Sequence, residues 1–494
     1  MDELRKKTVT GSFWTVIERF GYLGIQFISN LVLARLLIPD DFGTIGILII
    51  FTSLSNVLID SGLSSALIQK KDISEDDKST VFFTNLALAI VVYFIFFFSA
   101  PLIAKYFHNP QITGLLRVIE LMVVIDAFAA IQNTTLTRDM DFKALALYKI
   151  ISIIVAVTIS IFLAYIGMGV WALVIQYLLF SLCRAFLLWL RTKWRPLFTY
   201  SKHSFNSLFG FGSKLLISNS IATLYDQFQS VLIGRHYSET NLGYYTQAKL
   251  LMQIPVDSLA RVVNNVSFPA YSKMQNERKE LKVMVRQNLL FLVFLNTPLM
   301  FYLSTLAKPL LVFLYSDKWL GSVPYFQFLC LGYGLFSIIH NCNLTALKSV
   351  GRSDYVLKLE IIKKVIGFFL LLCGMHFWGI WGLMYGLAIN SFIELFLNGF
   401  YLKKEIDYGS LDQIKDFLPP LFLSVISSFV VYLYLQYVPI TSNILNLIIS
   451  FFVFATLYLL GAYLMKLEAL NIAKIVVNKV ILKKKNKIDE SHRI

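Results

Sequence analysis

The chain has 494 residues, a formal net charge of +15, and 57% hydrophobic residues against only 15% charged residues. A soluble protein carries roughly 25% charged residues, so this composition excludes a soluble globular protein as well as a disordered one. Four cysteines without paired spacing also exclude a disulfide-stabilised scaffold. Apolar runs of about 18 or more residues recur along the chain, as is typical of membrane-spanning helices. The sequence therefore predicts an all-α polytopic membrane protein.

Fourteen membrane-spanning helices are predicted in chain order, joined by loops that are too short to form a further domain. Their ranges are 12–35, 44–68, 80–104, 113–137, 144–166, 169–190, 208–234, 243–270, 287–314, 324–347, 357–377, 380–401, 417–437 and 442–465. The first helix follows Arg5, Lys6 and Lys7 and contains Glu18 and Arg19, a pattern that does not fit a cleavable signal peptide. We therefore expect this helix to stay in the membrane.

Basic residues are divided unevenly between the two sets of alternating loops. If the N-terminus is cytoplasmic, the outside loops contain only Arg35, Lys105, Arg235, Lys308 and Lys318 of the 45 lysines and arginines. Most of the others lie in the inner loops and the C-terminal tail, which is the bias of cytoplasmic segments. Both termini are therefore predicted to be cytoplasmic. This topology, with anionic lipid at the inner surface, explains the basic excess, so we expect no nucleic-acid partner.

Two parts of the chain repeat the same pattern. Leu33-Ala34-Arg35 followed by Phe42-Gly43 recurs 200 residues later as Ile233-Gly234-Arg235 followed by Leu242-Gly243, and Gly169-Val170-Trp171 recurs as Gly379-Ile380-Trp381. Each copy holds an even number of predicted helices, so the copies share one orientation, as in transporters with a substrate path between two repeats. We predict two six-helix lobes in parallel pseudo-repeat, residues 1–200 and 201–405, followed by helices 13 and 14 and a basic cytoplasmic tail over 406–494.

A series of motifs resembles WzxC-type lipopolysaccharide and exopolysaccharide flippases. It includes Gly11-Ser12-Phe13-Trp14, the segments 33–43 and 66–72, Lys193-Trp194-Arg195-Pro196, Asp226-Gln227 and Phe268-Pro269-Ala270-Tyr271. The resemblance extends over residues 8–400, whereas the last two helices match in hydropathy only. It implies the multidrug/oligosaccharidyl-lipid/polysaccharide superfamily, whose members pair two six-helix lobes.

The same resemblance implies a function, a location and partners. The implied cargo is an oligosaccharide linked to undecaprenyl diphosphate, a polyprenyl diphosphate, moved from the cytoplasmic to the periplasmic leaflet of the bacterial inner membrane. This transport would serve the synthesis of lipopolysaccharide, capsule or exopolysaccharide. Membrane lipids and other polysaccharide-assembly membrane proteins are the further partners that we expect.

Charged residues inside the predicted helices are the first place to look for a substrate site, because ionisable groups are costly there. A diphosphate headgroup needs fixed cations in a water-filled cleft, and arginine can bond two phosphate oxygens at once. We predict Arg19 and Arg261, at inner to middle depth in opposite lobes, as the substrate-binding residues. For each a structural alternative is open: Glu18 neutralises Arg19, or Asp257, four residues before Arg261, pairs with it.

Carboxylates inside the spans suggest how transport is driven. Asp226, Asp126, Asp60 and Glu394 are the predicted ion-coupling residues, Asp226 first because it lies in a family-like motif; a structural contact between the lobes is its alternative. Such a group either carries H⁺ or joins carbonyl oxygens around Na⁺, so we expect coupling to one of these gradients. We expect no cofactor and no metal site, because the histidines lack ligand spacing and Gly210-Phe211-Gly212-Ser213-Lys214 lacks the spacing of an ATP-binding loop.

The remaining intramembrane charges have simpler interpretations. Arg117 and Glu120 are predicted to pair at the rim of the fourth helix. Five basic residues lie near predicted helix ends, from which their side chains can extend to the lipid headgroups: Lys149, Arg184, Lys249, Lys363 and Lys364. Glu360 lies three residues before Lys363 and four before Lys364, so a local pair is predicted.

Two alternatives to the flippase stay open. One is a multidrug or small-molecule exporter of the same superfamily, against which the opening motifs argue. The other is a membrane polysaccharide polymerase or ligase, which generally displays a large periplasmic loop with catalytic side chains. The predicted outside loops are short and nearly uncharged, and catalysis would not explain the repeat, so we expect a transporter and not an enzyme.

Overall fold

The computed structural model describes residues 2–60, 63–70, 72–438 and 442–475; some side chains within these helices, including that of Asp60, lie outside the described set. Most of the described residues are helical and none lies in a strand, which confirms the predicted all-α fold. Eight helical segments of this described part are long and apolar enough to cross a membrane. Phe98, Phe162 and Phe452 are 71%, 62% and 64% exposed, as expected for side chains that face lipid. The chain is thus a multi-pass membrane protein, while the number of fourteen spans stays a prediction.

The chain packs into two compact units, Met1–Thr246 and Gln247–Ile494. The first unit contains α1 (Asp2–Leu36), α2 (Pro39–Asp60), α3 (Leu63–Gln69), α4 (Glu75–Tyr106), α5 (Ile112–Ile119), α6 (Leu121–Arg138), α7 (Phe142–Tyr165), α8 (Val170–Arg191), α9 (Lys202–His236) and the start of α10 (Glu239–Val262). Helix α9 belongs to this unit because it packs against α2, α3 and α4. The predicted lobe boundary at residue 200 concerns the sequence repeat and stays a prediction.

The second unit contains the rest of α10, followed by a π-helical turn. Its further elements are that turn (Val263–Ser267), α11 (Phe268–Lys273), α12 (Arg278–Thr305), α13 (Ala307–Tyr315), a 3₁₀ turn (Asp317–Trp319), α14 (Ser322–Leu329), a second π-helical turn (Cys330–Gly334), α15 (Leu335–Ser349), α16 (Ser353–Ile406), α17 (Ser410–Tyr437) and α18 (Asn443–Leu464). The long helix α12 packs against α15 and α17, and α18 packs against α17.

Helix starts are set by local polar residues. The Ser74 hydroxyl accepts a hydrogen bond from the Asp77 amide at 3.1 Å, and the Asp77 carboxylate accepts one from the Ser74 amide at 3.0 Å. This capping box satisfies backbone donors that the first turn of α4 leaves unpaired. Asp141 caps α7 in the same way by accepting from the Ala144 amide at 3.1 Å. Both helices begin before the predicted spans because the capping turn is helical but not apolar.

The fourth and the ninth predicted spans are interrupted at residues that the structure describes. The fourth is divided at Glu120 into α5 and α6. The ninth is divided at Leu306, where α12 ends and α13 begins. Pro309 explains the second break, because its nitrogen carries no hydrogen for a bond to the preceding turn and its ring crowds that turn.

Helix α16 is a hairpin of two helices, as the sequence predicts. Trp378 and Gly379 have non-helical backbone angles and separate residues 353–377, here α16a, from residues 380–406, here α16b. The two halves touch through Gly374 and Gly382: a Cβ on Gly374 would lie 2.2 Å from the Gly382 carbonyl oxygen. Gly379 (φ 60°, ψ −139°) and Gly169 (φ 56°, ψ −134°), which precedes α8, have nearly the same conformation. These glycines match in the sequence repeat, and each marks a chain reversal that needs positive φ.

The starts of α2 and α10 also reflect the repeat. A Cβ on Gly43 would lie 1.9 Å from the Glu239 carbonyl oxygen, and a Cβ on Gly243 would lie 2.0 Å from the Pro39 carbonyl oxygen. The two contacts are reciprocal, and both glycines and both carbonyls are 200 residues apart, as in the sequence repeat. Only glycine permits two backbones to approach this closely.

Polar side chains surround this glycine contact. Thr44 donates a hydrogen bond to one oxygen of the Glu239 carboxylate at 3.1 Å, and Asn109 donates to the other at 2.7 Å. Thr240 donates to the Asp40 carboxylate at 2.5 Å. The first turn of α10 is thereby bonded to the first turns of α2 and to the loop that follows α4.

Candidate functional site

Glu18 and Lys149 form an ion pair between α1 and α7. The Lys149 ammonium lies 2.8 Å from the Glu18 carboxylate and 4.6 Å from the centre of the Tyr22 ring. Lys149 follows the start of α7 by seven residues, about 10 Å along the helix. The predicted neutralisation of Arg19 by Glu18 is therefore not found, because Glu18 pairs across helices. The Arg19 side chain is exposed, and no carboxylate of the described residues lies within salt-bridge distance of it.

A cavity of about 220 Å³, lined by both polar and apolar side chains and here called the polar cavity, lies in the first unit. Asp126 of α6 and Arg184 of α8 line it together with Asn56, Ser64, Asn85 and Asn133. Arg184 donates to the Asn133 side chain at 2.8 Å, and its charge acts on Asp126, which also hydrogen-bonds to Ser181. Arg184 lies seven residues before the end of α8. The same number of residues separates Lys149 from the start of α7.

Tyr22 connects the ion pair with a residue of the cavity, because Lys149 lies over its ring and the charge of Arg184 acts on its hydroxyl. Its ring is 5.8 Å from that of Phe180 on α8, and its hydroxyl lies in the field of Arg184. We call Glu18, Lys149, Arg184 and Asp126, together with Arg19, the neighbour of Glu18 in the sequence, the cationic cluster. This set contains three cations and two carboxylates, so its formal charge is one positive charge in excess when both acids are ionised. A surplus cation among membrane-spanning helices is suited to bind an anion.

Arg261, the second predicted substrate cation, lies in the other unit. It is half-buried near the end of α10, and its Nε donates to the main-chain oxygen of Asp257 at 3.0 Å. The π-helical turn Val263–Ser267 follows directly. Such turns are rare in helices and are frequent at functional sites.

The predicted ion-coupling acids fall into different surroundings. Asp126 lines the polar cavity, and the Asp226 side chain is exposed on α9. Glu394 lies in a buried polar network of the second unit, 3.4 Å from His340. The side chain of Asp60 lies outside the described residues. Over the described part of the chain, no group of three or more His, Cys, Asp or Glu side chains is arranged to hold a metal ion.

The predicted rim pair of Arg117 and Glu120 is wrong. Glu120 is fully buried at the break between α5 and α6, where it accepts a hydrogen bond from Ser55 at 2.8 Å. Arg117 instead donates to the main-chain oxygen of Phe97 at 3.1 Å and lies 4.3 Å from that ring. The spacing of three residues would place both on one face of a continuous helix, but the helix breaks at Glu120.

The prediction that basic side chains near helix ends extend to the headgroups is wrong for Lys363, which is only 5% exposed. Its predicted local pair with Glu360 is confirmed at 2.8 Å. Arg184 and Lys149 also have partners inside the helix bundle. Lys149 lies seven residues after the start of α7, and Arg184 lies seven residues before the end of α8. Once these two helices are paired, this equal distance could have indicated the importance of both residues from the sequence.

Comparisons with known proteins support a single family. Residues 32–324 match the family described as "Polysaccharide biosynthesis protein". The chain is 24% identical to the lipopolysaccharide biosynthesis protein WzxC of Escherichia coli (strain K12), over 85% of this chain and 86% of that protein. It is 27% identical to the succinoglycan biosynthesis transport protein ExoT of Rhizobium meliloti (strain 1021), over 73% of each. It is 24% identical to the teichuronic acid biosynthesis protein TuaB of Bacillus subtilis (strain 168), over 72% of this chain and 74% of that one.

Solved structures share the fold. The lipid II flippase MurJ, in an inward closed conformation, superposes with a TM-score of 0.74 at 18% identity, over 92% of this chain and 98% of that one. An inward-facing multidrug resistance MATE family transporter of the MOP superfamily gives a TM-score of 0.59 at 16% identity, over 78% of this chain and 94% of that one. The chain therefore shares the fold of these two solved structures. Since the family match covers more than half of its residues, the chain belongs to the polysaccharide biosynthesis protein family.

Proposed function

We propose that this protein is a flippase that moves an oligosaccharide linked to undecaprenyl diphosphate from the cytoplasmic to the periplasmic leaflet of the bacterial inner membrane. The names of its relatives support this cargo, because they concern lipopolysaccharide, succinoglycan and teichuronic acid, and one of them is a transport protein. A flippase of a lipid-linked precursor has the same fold.

The cationic cluster of the first unit is the observation that carries the proposal. A diphosphate cannot cross hydrocarbon without partners for its oxygens, because unpaired polar groups there cost several kcal/mol each. The cluster offers the guanidinium groups of Arg19 and Arg184 and the ammonium of Lys149, with one positive charge in excess. Arginine can bond two phosphate oxygens in one plane.

Arg19 is the residue of this cluster that is best placed to meet the headgroup first. Its side chain is exposed, while Lys149 and Arg184 already have partners. An arginine exposed to hydrocarbon would be costly, so exposure in a spanning helix favours a water-filled cleft. The diphosphate would then displace Asn133 or Glu18 from the other two cations as it moves inward. Arg261 of the second unit stays a predicted substrate-binding residue.

The surplus charge argues against one alternative, and the short connections between helices argue against the other. A cluster with excess positive charge attracts anions and repels cations, so an exporter of cationic or neutral compounds is not favoured. A polymerase or ligase would need an extracytoplasmic catalytic segment. Over the described residues, the longest connection without helix joins Arg191 to Lys202, and the basic residues within it predict a cytoplasmic position. We therefore propose transport without catalysis, with membrane lipids and other polysaccharide-assembly membrane proteins as partners.

Deletion of the gene tests the proposal directly. The deletion strain should accumulate undecaprenyl diphosphate-linked oligosaccharide on the inner leaflet and lose the corresponding surface polymer. Extracted lipid-linked sugars and surface polysaccharide are the two measurements, and the wild-type gene on a plasmid should restore both. Normal surface polymer in a strain with no second flippase would contradict the proposal.

A further inference from the structure

A cavity of the second unit lies where the ninth predicted span is interrupted. It has a volume of about 950 Å³ and is lined by residues of α12, α13, α14, α17 and α18. Helix α12 ends before Leu306 and α13 begins after it. Residues on both sides of this break line the cavity: Ser304, Thr305, Lys308 and Pro309. We call this space the outer cavity, because the distribution of basic residues predicts that Lys308 lies outside.

The outer cavity runs along one face of α14 and one face of α17. Its lining residues recur every three or four positions of α17 from Val425 to Gln436, and those of α14 are Val323, Gln327 and Leu331. Side chains at this spacing lie on one face of a helix. The lined part of α17 is about 16 Å long at 1.5 Å per residue. Since the hydrocarbon core of a bilayer is about 30 Å thick, the outer cavity has about the depth of one leaflet.

The two ends of the outer cavity differ in polarity. Charged and amide side chains line its predicted outer end: Lys308, Asp317, Gln436 and Asn443. The lining residues furthest from that end along α12, α14 and α17 are all apolar: Phe301, Leu331 and Val425. A ligand that matches both ends has a polar head at the outer surface and an apolar part towards the membrane centre. This is the orientation of a lipid in the outer leaflet.

Two opposite charges line the outer cavity without forming a pair. Lys308 and Asp317 are both exposed. Among the residues that the structure describes, neither has an oppositely charged partner within salt-bridge distance. A phosphate can accept charge-assisted hydrogen bonds from the lysine ammonium, and a primary ammonium can donate them to the carboxylate. The headgroup that complements both side chains is therefore zwitterionic.

Other ligands match these features less well. An undecaprenyl diphosphate headgroup carries only negative charge, which the Asp317 carboxylate repels. An oligosaccharide would place hydroxyl groups against the apolar inner end, where burial without hydrogen-bond partners is unfavourable. A phospholipid with an ethanolamine headgroup combines a phosphate, a primary ammonium and acyl chains, and therefore matches both charges and the apolar end.

The side of α17 that lines the outer cavity is accessible from the surrounding lipid. Val425, Phe429 and Tyr432 are 46%, 60% and 55% exposed. Val431 of the same helix is instead fully buried in the apolar core cluster that α17 shares with α12 and α18. Protein packing thus covers one side of α17, and an acyl chain in the cavity would cover the apolar side chains that remain exposed.

We propose that the outer cavity binds one phospholipid with an ethanolamine headgroup from the outer leaflet. Lys308 binds its phosphate, Asp317 binds its ammonium, and an acyl chain extends along α17 towards the membrane centre. The lipid fills the space at the break between α12 and α13 and connects these helices with α17 and α18. This site is a resident lipid site, separate from the cationic cluster that is proposed for the cargo.

Native mass spectrometry of the full chain tests this site. Protein purified in detergent and stripped of lipid would be titrated with phosphatidylethanolamine and with phosphatidylglycerol of the same acyl chains. One phosphatidylethanolamine should bind several-fold more tightly than phosphatidylglycerol, because only its headgroup places a cation at Asp317. Phosphatidylethanolamine should also raise the Tm of the detergent-solubilised protein more than phosphatidylglycerol does, since a ligand of the folded state stabilises that state.

Two variants separate the roles of the two charges. Lys308→Gln should weaken the binding of both lipids, because both carry a phosphate. Asp317→Asn should weaken the binding of phosphatidylethanolamine alone and so make the two affinities nearly equal. Both side chains are exposed, so the Tm of the lipid-free protein should change little. Lys105→Gln is the matched control, an exposed lysine of the first unit that is also predicted to lie outside, and it should bind both lipids as wild type does.

Two kinds of result would overturn the proposal. Equal affinity of the wild type for both lipids, or a preference that Asp317→Asn leaves unchanged, would show that the cavity does not select a zwitterionic headgroup. Undecaprenyl diphosphate that binds more tightly than phosphatidylethanolamine, and is released by Lys308→Gln, would assign the outer cavity to the cargo instead. None of these measurements depends on transport, so the flippase function stands or falls separately by the gene deletion.

Discussion

Single charged residues in this protein differ mainly in whether a partner on another helix satisfies them. Arg19 is exposed, while Arg184 is bonded to Asn133 and faces Asp126 across a polar cavity. Both are arginines of the cationic cluster, but their loss has different costs. Removal of an exposed charge costs little stability, whereas removal of one partner from a buried set leaves the others unsatisfied.

Arg19→Ala should therefore leave folding intact and abolish transport. We expect a change in the free energy of unfolding within about 0.5 kcal/mol, normal abundance in the membrane, and loss of surface polymer. Arg19→Lys should restore part of the transport, because an ammonium replaces the planar fork by a point charge. Quantitative blotting and polymer assay measure the two effects. Full transport by Arg19→Ala would show that the diphosphate is held elsewhere.

Arg184→Met should instead reduce abundance. Its loss leaves Asp126 without a counter-charge, at a cost of about 1–3 kcal/mol, and the double change Arg184→Met with Asp126→Asn should recover most of the stability but not the transport. Arg191→Met is the matched control on the same helix. Its partner Asp141 belongs to an exposed pair with 54% of the arginine side chain accessible, which is worth at most about 1 kcal/mol. Equal thermal stability of the Arg184 and Arg191 variants would refute this account.

At the scale of helices, glycine decides where backbones touch. Gly43 and Gly243 bring α2 and α10 together through reciprocal contacts, and Thr44, Asn109 and Glu239 bond around them. Gly46, one turn further along α2, differs in kind. A Cβ there would lie 3.3 Å from the methyl group of the Thr246 side chain, which can move, while at Gly43 the obstacle is backbone.

Gly43→Leu should hold α2 and α10 apart and stop transport. We expect normal insertion, loss of surface polymer, and exposure of Thr44, which is only 4% exposed in the closed contact. Thr44→Cys reports this directly: a membrane-impermeant thiol reagent added to intact cells should label it several-fold faster in the Gly43→Leu background. Gly46→Ala serves as control and should change neither labelling nor polymer. Unchanged protection of Thr44→Cys in an active Gly43→Leu protein would count against the contact as a functional element.

At the scale of the whole molecule, the distribution of basic residues predicts the orientation in the membrane. Reporters fused after Lys202, Arg278 and Lys485 should read cytoplasmic, and those fused after Asp41 and Asp317 should read periplasmic, because Lys and Arg retain loops on the inner side. Alkaline phosphatase and fluorescent-protein fusions measure this. A periplasmic C-terminus would refute the fourteen-span prediction.

Much of the fold followed from the sequence alone. Apolar length suffices to predict spanning helices, because in lipid each helix must satisfy its own backbone hydrogen bonds whatever its neighbours are. The internal repeat could also be recognised in the sequence. Its glycines have structural roles, because only glycine adopts the backbone angles of the chain reversals at Gly169 and Gly379 or allows the close backbone contact at Gly43.

The partner of each buried charge was decided only by the tertiary structure. Glu18 pairs with Lys149 and not with its neighbour Arg19, and Glu120 bonds Ser55 and not Arg117. Glu394 was predicted as a coupling residue, but neither His340 nor Lys363 was placed beside it. Within one helix, a side chain can pair only with residues three or four positions away, which can be read from the sequence. Pairing between helices depends instead on which faces pack together and at what register. Those are properties of the packed bundle, and no local pattern in the chain encodes them.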